Sequence, residues 1–368
     1  MNNRGLNRAK AARNDEFYTL LPDIEKELCY YSKHFKGKTV YCNCDNPEWS
    51  NFWRYFYMRF EELGLKKLIS SHYSETEPSY SLEYVGAGEP RKSYLRGNGD
   101  FRSPECVGLL RQADIVVTNP GFSLFRDFIT LLLEHGKQFL VIGSINAIGY
   151  KCIFPLIRDN KLWLGCNSGP KTYRVPQNSE DKSAFIGADG LKYCKLGNTV
   201  WYTNIDTEKH HQPLSLSHRY SDNPSLYPRY DNYLAWNVNK TSDIPVDSFF
   251  EIEIDKDEID RYLAIYEDLE IVESKDRLKI RVYRPMLGVP ISYLNDHCPD
   301  QFDIVGLAHL AEMMPEPVVL GEEFINRYRA GGGTGHFSAG MYGVYYTDGD
   351  GKVKVPYGRI LIRAHEDT

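Results

Sequence analysis

The 368-residue sequence has no Cys-x-x-Cys pair among its eight cysteines, which stand at 29, 42, 44, 106, 152, 166, 194 and 298. That spacing argues against a zinc site. No apolar run reaches transmembrane length, and the polar start, residues 1–13, has no apolar segment of the kind a signal peptide needs. No Gly-x-Gly-x-x-Gly follows the first strand-like run, which disfavours a nucleotide-binding oxidoreductase. The glycine-rich stretch 330–343 lacks the Lys-Ser/Thr of a phosphate loop and reads as a mobile loop. There is no internal repeat and no excess of positive charge, the formal net charge being −6. These absences predict a cytoplasmic protein with reduced thiols, outside the membrane and without a metal.

Apolar residues make up 42% and charged residues 26%, as in ordinary globular proteins, and the length allows one large domain or two moderate ones. Charge is unevenly placed. Arg4, Arg8, Lys10 and Arg13 occur with no acid among the first thirteen residues. Arg91, Lys92, Arg96 and Arg102 form a second basic group, and residues 277–284 carry four more bases. Residues 251–273 are strongly acidic. Two readings stand: basic segments that meet phosphates while an acidic face points away, or ordinary solvated surface.

Along the first half, strand and helix patterns alternate. Pro22 and Asp23 suit a helix start, with Ile24, Leu28 and Tyr31 on one face. Residues 38–45 read as a short buried strand and turn. Asn46-Pro47-Glu48 then cap a helix whose stripe is Trp49, Phe52, Trp53, Phe56, Phe60 and Leu63, closed by Gly64. Residues 65–70 read as a strand, 80–94 as a hairpin around Gly86-Ala87-Gly88, 105–112 as a helix and 115–117 as a strand. A helix over 123–135 buries Phe125, Phe128, Ile129 and Leu132, and 138–142 is a further strand. This order predicts an α/β fold with a mostly parallel sheet. The second half has weaker helical periodicity and more Pro, Asn, Tyr and Gly. Strands are expected at 199–205, 277–283, 289–294 and 359–363, with a helix at 256–269. His210-His211 read as surface histidines.

The stretch Thr118-Asn119-Pro120-Gly121-Phe122 sits between the strand at 115–117 and the following helix. That position puts reactive groups at the carboxyl edge of an open sheet. The Asn119 amide oxygen and the Pro120 carbonyl can both accept hydrogens from one exocyclic amino group, and the Phe122 ring can stack on the ring that carries it. An aromatic amine is a weak nucleophile because its lone pair is delocalised. Two acceptors aimed at its hydrogens favour a tetrahedral nitrogen that can attack a methyl donor. The first strand ends in Cys42-Asn43-Cys44-Asp45, where nucleotide-like cofactors sit in such folds, and Asp100-Phe101 is an acid beside an aromatic after the expected third strand. All three segments are expected side by side at one sheet edge.

The Asn119 motif resembles the Asn-Pro-Pro-aromatic signature of amino-group methyltransferases. Six segments in order, at 15–19 (Asp-Glu-Phe-Tyr-Thr), 41–47 (Tyr-Cys-Asn-Cys-Asp-Asn-Pro), 99–103 (Gly-Asp-Phe-Arg-Ser), 114–120, 201–204 and 288–292, resemble the EcoRI-type adenine-specific DNA methyltransferases. The resemblance is clearest from 15 to 165. It implies a Rossmann-like methyltransferase core, S-adenosylmethionine as cofactor, and methylation of the 6-amino group of adenine in duplex DNA after base flipping. By resemblance, Asn119, Pro120 and Phe122 hold the target base. Phe17, Tyr18, Thr19, Cys42, Asn43, Asp45, Asp100 and Phe101 serve the cofactor.

The chain then divides into a basic arm (1–14), a methyltransferase core (15–206) and a loop- and strand-rich target-recognition region (207–368) with an acidic insertion near 251–273. DNA contacts are expected from Arg4, Arg8, Lys10 and Arg13 of the arm and from Arg219 and Arg229, with Asn232 and Asn237 of suitable type. Gly121 departs from the family pattern: exchanging Pro for Gly costs on the order of 1 kcal/mol of chain entropy, about tenfold in rate if all of it falls on the transition state. An inactive relative that only binds DNA or cofactor, and an RNA or protein amino-group methyltransferase, are the competing readings.

Overall fold

The residues of Thr39–Cys42 (β2), Lys67–Ser71 (β3), Ile115–Thr118 (β6) and Gln138–Ser144 (β7) are almost all buried, as expected of strands covered on both faces. In the computed structural model, which describes residues 17–44, 46–179 and 183–366, these four lie parallel in the order β3-β2-β6-β7. They are the centre of an eight-stranded sheet. The hairpin Tyr80–Tyr84 (β4) and Arg91–Tyr94 (β5) extends one side, and Thr199–Thr203 (β12) with Trp163–Leu164 (β8) extends the other. Both wings pair antiparallel. This is the α/β, Rossmann-like arrangement expected, with its parallel strands at the centre.

Helices pack on this sheet through the stripes seen in the sequence. Phe125–Glu134 buries Phe125, Phe128, Ile129 and Leu132. Pro104–Gln112 starts at a proline in its first turn, and the Ser103 hydroxyl accepts from the Cys106 amide. The aromatic helix differs from expectation. It spans Asn51–Met58, and Trp49 lies outside it, 61% exposed. The Asn46 side chain instead accepts from the Glu48 amide in a tight turn, which delays the helix start. Phe52, Trp53 and Phe56 still join Phe60, Leu63, Val40, Val117 and Trp201 in the core.

A second, four-stranded antiparallel sheet has the order β1-β9-β11-β10. It is built from Tyr18–Thr19 (β1), Lys171–Arg174 (β9), Ala184–Ile186 (β10) and Lys192–Leu196 (β11).

The described residues form two compact units, one running to Ile153 and resuming at Lys161–Lys209, the other made of Phe154–Asn160 and the residues from His210 on. The second unit contains Trp236–Asn237 (β13), Phe249–Ile254 (β14), Leu269–Ser274 (β15), Leu278–Tyr283 (β16), Leu287–Pro290 (β17), Phe302–Leu307 (β18), Tyr346–Thr347 (β19), Val353–Lys354 (β20) and Arg359–Ala364 (β21). They make sheets of order β13-β17-β21-β18, β14-β16-β15 and β19-β20.

The helix expected at 256–269 is only a short turn followed by Ile259–Leu263, and Leu269 already begins β15, whose β-branched Ile271 and Val272 suit a strand. The glycine-rich stretch expected to be a loop has no regular structure and is mostly exposed, with close approaches at two of its glycines. A Cβ at Gly333 would lie 2.3 Å from the Tyr328 ring and one at Gly335 2.5 Å from the Phe337 ring. The glycines let backbone press against aromatic rings.

Candidate active site

The chain leaves β2 for β3 on one side and returns on the other side of β2 as β6. A crevice at the carboxyl ends of the strands follows from that switch. The loops after β2 and β6 meet there, the Thr118 hydroxyl donating to the Asn43 carbonyl.

Asn119 follows directly on β6 and is 7% exposed. Its Nδ2 donates to the Phe17 carbonyl at 2.6 Å. A carbonyl can only accept, so the amide orientation is settled: Oδ1 faces the other way, and it has no hydrogen-bond partner among the described residues. Phe122 opens a one-turn 3₁₀ helix, Phe122–Leu124. Its ring lies nearly parallel to that of Phe17, centroids 5.8 Å apart and planes at 15°. Gly121, between Pro120 and Phe122, has φ −52° and ψ 128°, and its carbonyl accepts from the Leu124 amide at 2.9 Å.

Two further buried side-chain oxygens, Thr19 Oγ1 and Asn43 Oδ1, also have no partner among the described residues. Thr19 is held by the Asn51 side chain, which donates to its carbonyl at 2.8 Å. Cys44, in the loop after β2, has φ +78°, an uncommon left-handed turn for a residue with a side chain. An unpaired buried oxygen costs roughly 1–3 kcal/mol, so the oxygens of Asn43 and Asn119, in the loops after β2 and β6, make this edge a candidate ligand site.

The other expected residues are placed differently. Cys42 ends β2 with its side chain in the apolar core, and its carbonyl accepts the Ser70 hydroxyl at 2.6 Å. The residues 98–101 follow an antiparallel hairpin strand, not a third parallel strand. They reach the carboxyl edge because Ser74 donates to the Asn98 carbonyl and Gly99, at φ +79°, presses on the His72 carbonyl so closely that a Cβ would sit 2.1 Å from it. The Asp100 carboxylate takes Arg102 Nε at 3.0 Å and Nη2 at 2.7 Å. The Phe101 ring stands edge-on to Phe128, buried. Asp45, and the basic residues Arg4, Arg8, Lys10 and Arg13, lie outside the described residues.

The sequence profile of the family described as adenine-specific methyltransferase EcoRI matches residues 5–280. The chain belongs to this family. The Type II methyltransferase M.EcoRI of Escherichia coli is 39% identical over 324 residues, 82% of this chain and 89% of the relative. The Type II methyltransferase M.MpnI of Mycoplasma pneumoniae is 39% identical over 306 residues, 81% and 84% of the two chains. M.MgeORF184P of Mycoplasma genitalium is 36% identical over 305 residues, 81% and 84%. No solved structure matches the chain significantly. As a member of the EcoRI family this chain is an enzyme, and its activity class is methyl transfer to DNA.

In this methyltransferase the second unit's charges are largely spent on each other. Glu251 pairs with Lys279 and, at 3.1 Å, with Arg281, which also meets Glu270 at 3.2 Å. Arg277 pairs with Asp255 at 2.9 Å and Arg284 with Asp268 at 2.7 Å. The acidic block and the basic run at 277–284 are therefore neighbouring strands of one small sheet, which accounts for both. Arg229 is bonded to the Tyr262 hydroxyl and lies 3.9 Å from Glu258. Asn232 is tied to the backbone of Gly343 and Tyr345. Asn237 is fully buried, accepting from Arg359 Nε at 3.0 Å. Both side-chain amides are thus engaged within the protein. Arg219 lies 3.9 Å from Asp247, its side chain 60% exposed. His210 is buried, contrary to expectation, while His211 meets Asp300 at 2.8 Å.

Two residues escaped the sequence reading. His72, just past β3, is buried with Nδ1 lacking a partner among the described residues; burial, then nearby Lys92, lowers its pKa. Glu27 is a fully buried carboxylate accepting from the backbone of Cys166 and Asn167 at 2.7 and 3.0 Å, and burial raises its pKa. Glu27 was legible in principle, because it lies within the apolar stripe of Ile24, Leu28 and Tyr31. Among the described residues no group of three metal-ligating side chains occurs. No helix there is long and apolar enough to cross a membrane.

Proposed function

We propose that the chain transfers a methyl group from S-adenosylmethionine to the 6-amino group of adenine in duplex DNA. The observation that carries this reading is the Asn119 amide: buried, oriented by the Phe17 carbonyl, with its own oxygen left unpartnered beside Pro120 and Phe122. Such an oxygen is suited to accept a hydrogen from an exocyclic amine, and the Pro120 carbonyl supplies the second acceptor. Phe122 offers its ring for stacking, worth roughly 1–3 kcal/mol for a base. That helps offset the few kcal/mol needed to extrude a base from the duplex.

The fit to the cofactor rests on Asn43, at the switch-point crevice, and Thr19 in β1, whose buried oxygens lack partners among the described residues. A ligand rich in hydroxyl and amino groups would satisfy them. S-adenosylmethionine, when bound, supplies an electrophilic methyl group. Asn119 and Pro120 hold the amine so that its lone pair forms the new N–C bond as the S–C bond breaks. Neither acceptor is a base, so the surplus proton passes to water. The second unit, with the Arg219 side chain exposed, is the proposed reader of the DNA, and the basic arm would add salt-dependent phosphate contacts.

The test is transfer of labelled methyl groups to unmethylated duplex DNA, with the product nucleoside identified. Label on adenine with wild type and none with Asn119→Ala is the expected result. Label on RNA or protein alone would overturn the DNA reading.

A further inference from the structure

Phe17 belongs to a segment expected to serve the cofactor. Its contacts lead elsewhere. Its carbonyl takes the Asn119 Nδ2 at 2.6 Å, and its ring is stacked with Phe122. The same ring also meets Tyr173 edge-on, with centroids 5.8 Å apart and planes at 71°. Tyr173 in turn donates its hydroxyl to Thr199 Oγ1 at 2.9 Å, and Thr199 begins β12 of the large sheet. On the chain side, Tyr18 and Thr19 pair with Arg174 and Tyr173 as β1 against β9. The small antiparallel sheet therefore grips residues 17–19, and residue 17 grips the catalytic motif at two points.

An asparagine amide has two faces of opposite polarity. Turned by 180°, Asn119 would present donors to an amino group and repel it. The donor side is engaged by a carbonyl that cannot donate, so the acceptor side is the one left over. We propose that Phe17 is a positioning residue: its carbonyl sets the Asn119 amide for catalysis, its ring steadies Phe122, and the sheet β1-β9-β11-β10 is the clamp that keeps it there. This rests on the reading that Asn119 Oδ1 receives the target amino group.

The test uses the full chain, with cofactor affinity, duplex affinity and single-turnover methyl transfer measured separately. Phe17→Ala is expected to slow transfer by between about tenfold and a hundredfold, the scale of small misplacements of reacting groups. The dissociation constants for S-adenosylmethionine and duplex should change by less than about twofold, which separates a kcat effect from a binding effect. Both side-chain variants keep the main-chain carbonyl, and Phe17→Tyr, which also keeps the ring, should restore the rate. The α-hydroxy analogue of tyrosine at position 18 turns the residue-17 carbonyl into a weaker ester acceptor and should also slow transfer. This variant decides the matter if Phe17→Ala fails to fold. A wild-type rate in the ester variant overturns the proposal. So does a Phe17→Ala enzyme with weakened cofactor binding but a normal rate at saturation, because Phe17 would then be a cofactor wall. A wild-type enzyme that methylates no adenine defeats the functional reading first, and this inference with it.

Discussion

In the loops after β2 and β6, at the carboxyl edge of the large sheet, the buried oxygens of Asn43 and Asn119 have no partner among the described residues, nor has that of Thr19 in β1. On the sheet β14-β16-β15 the situation is reversed: Lys279 and Arg281 on the middle strand face Glu251 and Glu270 on its two neighbours, and the charges neutralise across the strands. Both regions are rich in polar side chains, and composition does not tell them apart. The difference is satisfaction. Polar groups paired with each other serve the fold, while acceptors held buried and unpaired in the loops after parallel strands cost stability and are placed where such folds bind ligands. By that criterion the first unit carries the chemistry, and the strongly charged stretch of the second is largely architecture.

Breaking the comparison at its most exposed point gives the largest effect. Asn119→Ala deletes the unpaired acceptor and should lower the single-turnover rate by about 10²–10³-fold, the usual cost of losing one preorganised polar contact to a transition state. A loss below tenfold in the labelled-methyl assay would mean that the unpaired oxygen is not where the reaction happens.

The second unit can be broken through one of its satisfied buried groups. His297 faces the Tyr293 hydroxyl at 3.0 Å and the Asn160 side chain at 3.1 Å, and burial lowers its pKa from the ordinary 6.5 to about 4. The folded state thus binds fewer protons than the unfolded chain between these values. The stability contributed by neutral His297 is complete above pH 6.5 and is lost as pH falls towards 4, by up to about 3 kcal/mol. Urea midpoints measured across that range should fall in wild type, and the fall should be shallower in His297→Gln. Equal slopes in the two proteins would show that the histidine is not the group responsible.

Gly121 sharpens the comparison from the other side. Its φ of −52° is already close to the angle that proline imposes. Gly121→Pro should fit without strain, reduce the freedom of the unfolded loop, and raise the transfer rate by up to about tenfold. A slower enzyme would show that the loop needs its freedom during turnover. The smallest effect is expected from Arg281→Ala. If Arg281 serves only its two glutamates, the salt dependence of duplex binding should stay as in wild type, whereas a lost phosphate contact would lower the log–log slope by about 0.9.

Much of the first unit was legible because its signals are local. The apolar run ending in Thr118 makes β6, the spacing of Phe125, Phe128, Ile129 and Leu132 makes one helix, and Gly86 and Gly88, with φ of +88° and +70°, mark the hairpin turn. The helix start near Trp49 was misread because an asparagine that caps a tight turn uses the same residues as one that caps a helix. The pairing of acidic residues 251–273 with β16 is not legible in the sequence, because cross-strand pairing is not a property of either strand alone. The partners of Asn232 and Asn237 are not legible for the same reason: an amide's partners are chosen by what folds next to it.

By itself, the sequence determined the alternation of strands and helices, the placement of Asn119 after a buried strand, and the family to which the chain belongs. All of these depend on residue type and spacing along the chain. Only the tertiary structure decided which polar atoms remain unpaired, and that the Phe17 carbonyl, 102 residues away in sequence, orients the Asn119 amide. Hydrogen bonds between distant segments are made only when the sheet order brings those segments together. The direction in which an amide points is set by that last step.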